Sequence, residues 1–238
     1  MSDNEKNKNL VISVEGLTKT FYLGQKEIGA LGGVDLQVFE GDFVVIFGPS
    51  GCGKSTLLNI LVGLEAPTSG ECFVNDKNIY ALESDELAKF RGRTFGIIHQ
   101  RSYWVQSLNV LENVALPLIV NGADEKQSLQ NAAEILESLK CGELTYQKPG
   151  QLSGGEQQKA SCARALVSDP EILIADEPTG NLDSTSADAL VGIIESLNRG
   201  WKKTVIMVTH NAAYREVGNR QIEMRDGKII KEENQSWT

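Results

Sequence analysis

No apolar run in this sequence approaches the ~18–20 residues that a membrane-crossing helix needs. The longest, such as "FVVIF" at 43–47, have the length of a strand. A basic excess is missing as well. Lysine and arginine number 23 against 32 aspartates and glutamates, a net charge of −9. The basic residues are scattered rather than gathered on one face, which argues against a protein built to sit on nucleic-acid phosphates. Cysteine is scarce and unpatterned. Positions 52, 72, 141 and 162 show neither C-x-x-C nor metal-site spacing, so reduced thiols of a cytosolic protein are expected. The opening "MSDNEKNKN" lacks the charged-then-apolar layout of a secretory leader and reads as a polar tail, 1–9. What remains is an ordinary globular composition over 238 residues, enough for one large or two small domains.

Periodicity divides the chain into two kinds of territory. Strand-like runs stand at 10–17, 33–39 and 42–48, the last continuously apolar, as in a strand buried on both faces. "KSTLLNILVGL" follows at helical spacing, and "ECFVNDKNI" predicts two short strands around Asn75-Asp76. Ser84 is placed to cap a helix through Arg91, and "TFGIIHQ" returns to strand. From Val110 to about Val167 the pattern is helical. Asp124 and Gln127 have capping-box spacing, and Leu129, Ala132, Ala133, Leu136 and Leu139 form an apolar stripe. Strand and helix then alternate again: "EILIAD", a helix from Ser184 to about Asn198, "TVIMVTH", and a hairpin on Asp226-Gly227. An α/β layer is thus interrupted by a helical insertion, about 101–167. There is no internal repeat.

The chemistry begins with "GPSGCGKST". Gly48, Pro49, Ser50, Gly51, Cys52, Gly53, Lys54, Ser55 and Thr56 fit G-x-x-x-x-G-K-[ST] between a strand and a helix. Glycines let backbone N–H groups wrap a β-phosphate and Lys54 adds a point charge beside it. The Ser55 hydroxyl suits Mg²⁺, and the helix N-terminus contributes its dipole. Cys52, next to a lysine and a helix start, has the setting of a reactive thiol, so its modification is expected to block nucleotide. "EILIADEP" places two carboxylates at the end of a buried strand: Asp176 suits the metal, and Glu177 suits the polarising of a water that attacks the γ-phosphorus. Gln100 and His210 each close a strand, where the first can reach the metal or the water and the second the γ-phosphate. A second anion cradle stands a hundred residues on, at "LSGGEQQK": Ser153, Gly154 and Gly155 precede a helix but carry no lysine.

These motifs, in this order, together with "NLD" at 181–183, resemble those of the ATP-binding-cassette (ABC) ATPases, over Val11 to about Lys231. "GPSGCGKSTLLNILVGLEAPTSG", "LENVALPL" and "ILIADEPTGNLDS" look most like the lipoprotein-releasing and macrolide-exporter group. The resemblance implies an α/β P-loop NTPase fold. It would comprise a RecA-like core, an antiparallel β subdomain and an inserted α-helical subdomain, in one domain spanning 10–231 with a tail at 232–238. It implies Mg²⁺-dependent ATP hydrolysis, and a second copy of the chain whose Ser153, Gly154, Gly155, Glu156 and Asp183 complete this copy's site. It also implies an integral membrane permease docked near the helical subdomain, between Gln100 and Leu152, with the chain peripheral on the cytoplasmic face of the membrane and no nucleic-acid partner. The family's adenine-stacking tyrosine corresponds to Phe21, with Tyr22 beside it; which ring stacks stays open. Glu156 stands where glutamine is common, Lys159 and Asn211 where arginine and aspartate are, and His99 is unusual. The likeness leaves room for a cell-division-type complex that moves no cargo. A soluble DNA-repair ATPase fits less well, because only about 120 residues separate the P-loop from the acidic strand, without sustained heptads.

Overall fold

The computed structural model describes residues 9–235. Residues 1–8 and 236–238, most of the expected tail at 1–9 and the end of that at 232–238, lie outside them. The chain opens with two long antiparallel strands, β1 (Leu10–Leu23) and β2 (Lys26–Phe39), joined in a second small sheet by β4 (Ser69–Val74) and β5 (Lys77–Asn78), in the order β2-β1-β4-β5. The expected strands at 10–17 and 33–39 are only the buried halves of this hairpin. Its outer half carries exposed Phe21, Tyr22 and Leu23 in succession, so it shows no alternation for a sequence reading to catch.

The main sheet has six strands in the order β10-β9-β3-β8-β7-β6. Its strands are β3 (Phe43–Phe47), β6 (Phe95–His99), β7 (Ile172–Asp176), β8 (Thr204–Thr209), β9 (Arg220–Arg225) and β10 (Lys228–Asn234). From β6 to β9 every pairing is parallel, and β9–β10 is the antiparallel hairpin on Asp226-Gly227, both at positive φ. Side chains of β3 alternate between two cores. Val44 and Ile46 join one with α1 (Lys54–Leu61) and the antiparallel sheet, while Phe43 and Val45 join another under α6 (Ser184–Arg199). All four are fully buried, each contributing roughly 1.5–3 kcal/mol of burial free energy. A strand apolar on both faces can only be central, and its C-terminal end is where an open α/β sheet offers its crevice.

The remaining helices are α2 (Ser84–Thr94), α3 (Val110–Val120), α4 (Glu125–Ser138) and α5 (Gly154–Leu166). Helices α3, α4 and α5 form a third core around Val114, Ala132, Leu136 and Ala160, inside the expected helical insertion. Two caps differ from expectation. Ser84 is the first residue of α2, not its cap; Glu83 occupies the cap without a side-chain bond. Asp124 does cap α4, but Gln127 turns its side chain to Asn131 instead of closing the box.

The chain end is a strand rather than a tail through Asn234. Arg220 explains this. Its buried guanidinium bonds Asp42 at 2.7 Å, the Gln37 carbonyl at 2.7 Å and also Glu232, so β10 is drawn onto both sheets. At the other end, Asn9 is tied down by a bond from the Glu40 amide to its carbonyl at 2.8 Å.

Candidate functional site

Residues 48–53 leave β3 and turn into α1 through conformations that a side chain would forbid. Gly48 and Gly53 have φ of 153° and 104°, and a Cβ there would lie 2.1 Å from the Met224 carbonyl oxygen and 2.5 Å from that of Ala30. The loop therefore closes down on β2 and β9. Lys54 is folded inward and 6% exposed, its Nζ donating to the carbonyls of Gly48 (2.9 Å) and Pro49 (3.0 Å). The lysine is held by the loop's own oxygens, in a position to be recruited by a better anion.

The two carboxylates take different hydrogen-bond partners, yet each still feels the other's charge. Glu177 adopts φ of 48°, rare for a residue with a side chain. Asp176 accepts from the Ser55 hydroxyl at 3.0 Å. Glu177 Oε2 meets the His210 ring Nδ1 at 2.6 Å and the His210 N–H at 3.2 Å. Burial pushes the Asp176 carboxyl above the usual carboxylate range, with the Glu177 charge adding to it and the Ser55 bond opposing. A carboxylate and a hydroxyl oxygen converging beside a phosphate loop are the hard donors Mg²⁺ takes when phosphates supply the rest of its shell.

His99, on β6, is paired in register with Asp176. Burial, then the Arg164 charge, lowers the pKa of its ring, which packs edge-on against Tyr103 at 5.3 Å. His99 is thus a half-buried ring beside the acidic strand end, with the Asp176 charge opposing the shift.

Lys54, Ser55, Glu177 and His210 share a cleft of about 350 Å³ with Ala30, Ser50, Gly51, Gly53, Thr56 and Gln100; Asp176 and His99 are not among its lining residues. Of the residues expected there, Gly48 and Pro49 form the floor that holds Lys54. Cys52 is buried beneath, its Sγ 3.9 Å from Lys54 Nζ. The expected reactivity of that thiol is thus opposed by lack of access. Phe21 and Tyr22 are not among the lining residues. Phe21 lies under the Lys19 ammonium, 4.9 Å from its ring centroid, and Tyr22 is exposed. Ala30 lines the cleft and escapes sequence reading, since nothing in its type announces it.

The second cradle is absent from that lining. Ser153 caps α5 in a reciprocal box: its hydroxyl accepts from the Glu156 N–H (3.3 Å), while the Glu156 carboxylate takes the Ser153 N–H (2.8 Å) and hydroxyl (2.7 Å). Those two bonds hold the Glu156 carboxyl below the usual carboxylate range. The resemblance implied that Glu156 puts a negative charge near the seam; in the single chain that carboxylate is taken up by the Ser153 N–H and hydroxyl of its own turn. Gly155 abuts the start of α6, where a Cβ would be 2.7 Å from Ser186 Oγ. There Asp183 caps α6, accepting from the Ser186 N–H and hydroxyl at 3.0 and 2.8 Å, bonds that lower its pKa. Behind the cradle, Gln158 is 4% exposed and bonds the carbonyls of His99, Gln100 and Pro178.

No helix among the described residues is long and apolar enough to cross a membrane. Residues 31–180 match the family model described as ABC transporter. The macrolide export ATP-binding/permease protein MacB of Hyphomonas neptunium is 43% identical over 220 residues, which cover 92% of this chain and 34% of that relative. The chain thus spans about a third of that protein's length. The cassette MJ0796 of Methanocaldococcus jannaschii, solved as a dimer, superposes with a TM-score of 0.88 at 38% identity, covering 95% of this chain and 100% of that one. The same cassette, in a post-hydrolysis dimer bound to ADP and phosphate, gives a TM-score of 0.87 at 38% identity over the same shares of the two chains. With its phosphate loop, its paired strand-end acids and its capped second cradle, this chain belongs to the ABC transporter family, as one of its ATP-hydrolysing cassettes.

Proposed function

We propose that two copies of this chain clasp ATP between them, head to tail, and that the opening and closing of the pair drives a separate integral membrane permease. The observation that carries the reading is the one-sided lining of the cleft. Ser153, Gly154, Gly155 and Asp183 take no part in it, yet the first turn of α5 has N–H groups of Gly154 and Gly155 with no partner available inside the helix. A C₂ pair brings such a turn to the other copy's phosphates, so each site is finished by the partner.

In this arrangement Lys54 leaves the Gly48 and Pro49 carbonyls for the β- and γ-phosphates. Ser55, Asp176 and Gln100 are the residues that would hold Mg²⁺, which supplies charge neutralisation for the phosphates. Glu177, oriented by His210, takes the proton of the attacking water, and His210 contacts the γ-phosphate. Phe21 or its neighbour Tyr22 stacks on adenine. Ser153, Gly154 and Gly155 meet the partner's γ-phosphate with Asp183 at the same seam, and Glu156 must release Ser153 for that to happen.

The permease docks on the helical subdomain, about 101–167, placing the chain peripherally on the cytoplasmic face. Support for an exported lipoprotein, peptide or drug-like cargo comes from the 43% identity to a macrolide export protein. The test uses Glu177→Gln, which removes the base and keeps the shape. With ATP and Mg²⁺, sedimentation should show a dimer that ADP does not produce; a monomer at all ATP concentrations contradicts the reading.

A further inference from the structure

The Gln158 amide is the most fully engaged buried side chain near the cleft, and nothing in the hydrolytic scheme above uses it. Its Nε2 lies 3.0 Å from the His99 carbonyl oxygen, 3.1 Å from that of Gln100 and 3.1 Å from that of Pro178. Its Oε1 accepts from the Ser102 hydroxyl at 3.1 Å. Three carbonyls on one amide nitrogen exceed what two hydrogens satisfy singly, so one hydrogen is shared. The carbonyls are not a random set. Two flank the Gln100 side chain at the end of β6, and the third follows Glu177 directly.

Gln158 stands on α5 four residues after Gly154, about 6 Å along the axis from the cradle. The same helix grips the same segment again lower down. Arg164 donates to the Ser102 and Tyr103 carbonyls, its guanidinium stacked 4.6 Å over the Trp104 ring. A helix pinned at two points to 99–104, and at one of them also to the turn after β7, cannot shift without carrying that segment along. We propose that Gln158 is a positioning residue coupling the two sites of the dimer: it transmits the state of the cradle at the head of α5, filled or empty, to Gln100 and Glu177 of the same chain. Each copy then hydrolyses fastest when its own cradle holds the partner's ATP, and more slowly when that cradle is empty. This rests on the shared-site reading given above. The coupling travels through a discrete set of bonds between two rigid elements, the physical warrant such a claim requires.

Gln158→Leu keeps the volume and removes all four bonds. The expected result is a fall in kcat of ~10–10²-fold, the usual cost of misplacing catalytic groups by about an ångström, with KM for ATP changed less than ~3-fold. The Hill coefficient for ATP should drop towards unity, while ATP-driven dimerisation in the Glu177→Gln background persists. A merely structural role would lower Tm and leave the Hill coefficient and the split between kcat and KM untouched, which overturns the proposal. Ser102→Ala removes only the bond to the amide oxygen and should lower kcat by ~2–5-fold and move the Hill coefficient part of the way towards unity; it carries the test should the first variant fail to fold, and no change in it is equally contrary. A parent protein that neither dimerises with ATP nor shows cooperativity would sink the shared site itself. A cooperative parent with an unaffected Gln158→Leu sinks only this inference.

Discussion

The two anion cradles of this molecule wait in opposite ways. The loop at 48–56 holds a cation: Lys54 is turned in on two carbonyls, an arrangement any phosphate can improve on. The turn at 153–155 holds an anion: the Glu156 carboxylate occupies the Ser153 N–H and hydroxyl. The first cradle is therefore attractive to nucleotide unaided. The second must give up two charge-assisted bonds before accepting a phosphate, and it brings no lysine to compensate. On the reading proposed above one is a binder and the other a conditional closure, although both are short glycine-bearing turns at a helix N-terminus. What separates them is which charge the chain itself places in the seat.

Substitutions at the two seats, and at the groups between them, can break that contrast. Glu177→Gln should have the largest effect, a ~10²–10⁴-fold loss of turnover with ATP affinity kept, because a general base contributes to the chemical step alone; steady-state rates beside equilibrium binding check it. Lys54→Ala comes next. ATP binding by the single chain should weaken ~10–10²-fold, the equivalent of one charge-assisted bond, whereas Ser153→Arg should leave that affinity within ~2-fold, both by calorimetric titration. Gly53→Ala should destabilise the nucleotide-free chain by ~1–3 kcal/mol in denaturant, since its φ of 104° and the Ala30 oxygen 2.5 Å from the new Cβ both oppose it. Glu156→Gln should do least. A glutamine can still close the capping box, so Tm should hold within about 2 °C. Losing the resident charge should tighten ATP-driven dimers only severalfold at low salt, as sedimentation would show.

The first cradle was legible and the second only half so, for physical reasons. A phosphate loop advertises itself because its residue types are dictated by the ligand: glycines where a Cβ would strike backbone, a lysine, and a hydroxyl that meets Asp176. The apolar runs of β3, β7 and β8, buried throughout their centres, likewise betray a parallel sheet. The Ser153–Glu156 spacing does fit a capping box, and that pattern was the available signal that Glu156 turns back on its own turn. Ala30 and Gln158 offered none. Their importance comes from what the fold packs against them, three carbonyls from two separate segments in the case of Gln158, and no spacing rule encodes that. The hairpin from Thr18 to Gly33 was missed because an exposed strand has no face to reveal. The end of β10 was missed because its anchor is Arg220, twelve residues away.

Mixing two inactive variants, Lys54→Ala and Ser153→Arg, measures the central claim most directly. Neither homodimer has a complete site, while the mixed pair assembles one from the intact phosphate loop of one copy and the intact second turn of the other. ATPase activity rising above that of either variant alone is the predicted result, to at most about a quarter of the parent rate at equal mixing and less to the extent that the unfilled second cradle slows the one complete site. A mixture no more active than its components would mean that each chain closes its own site, and the account would be wrong.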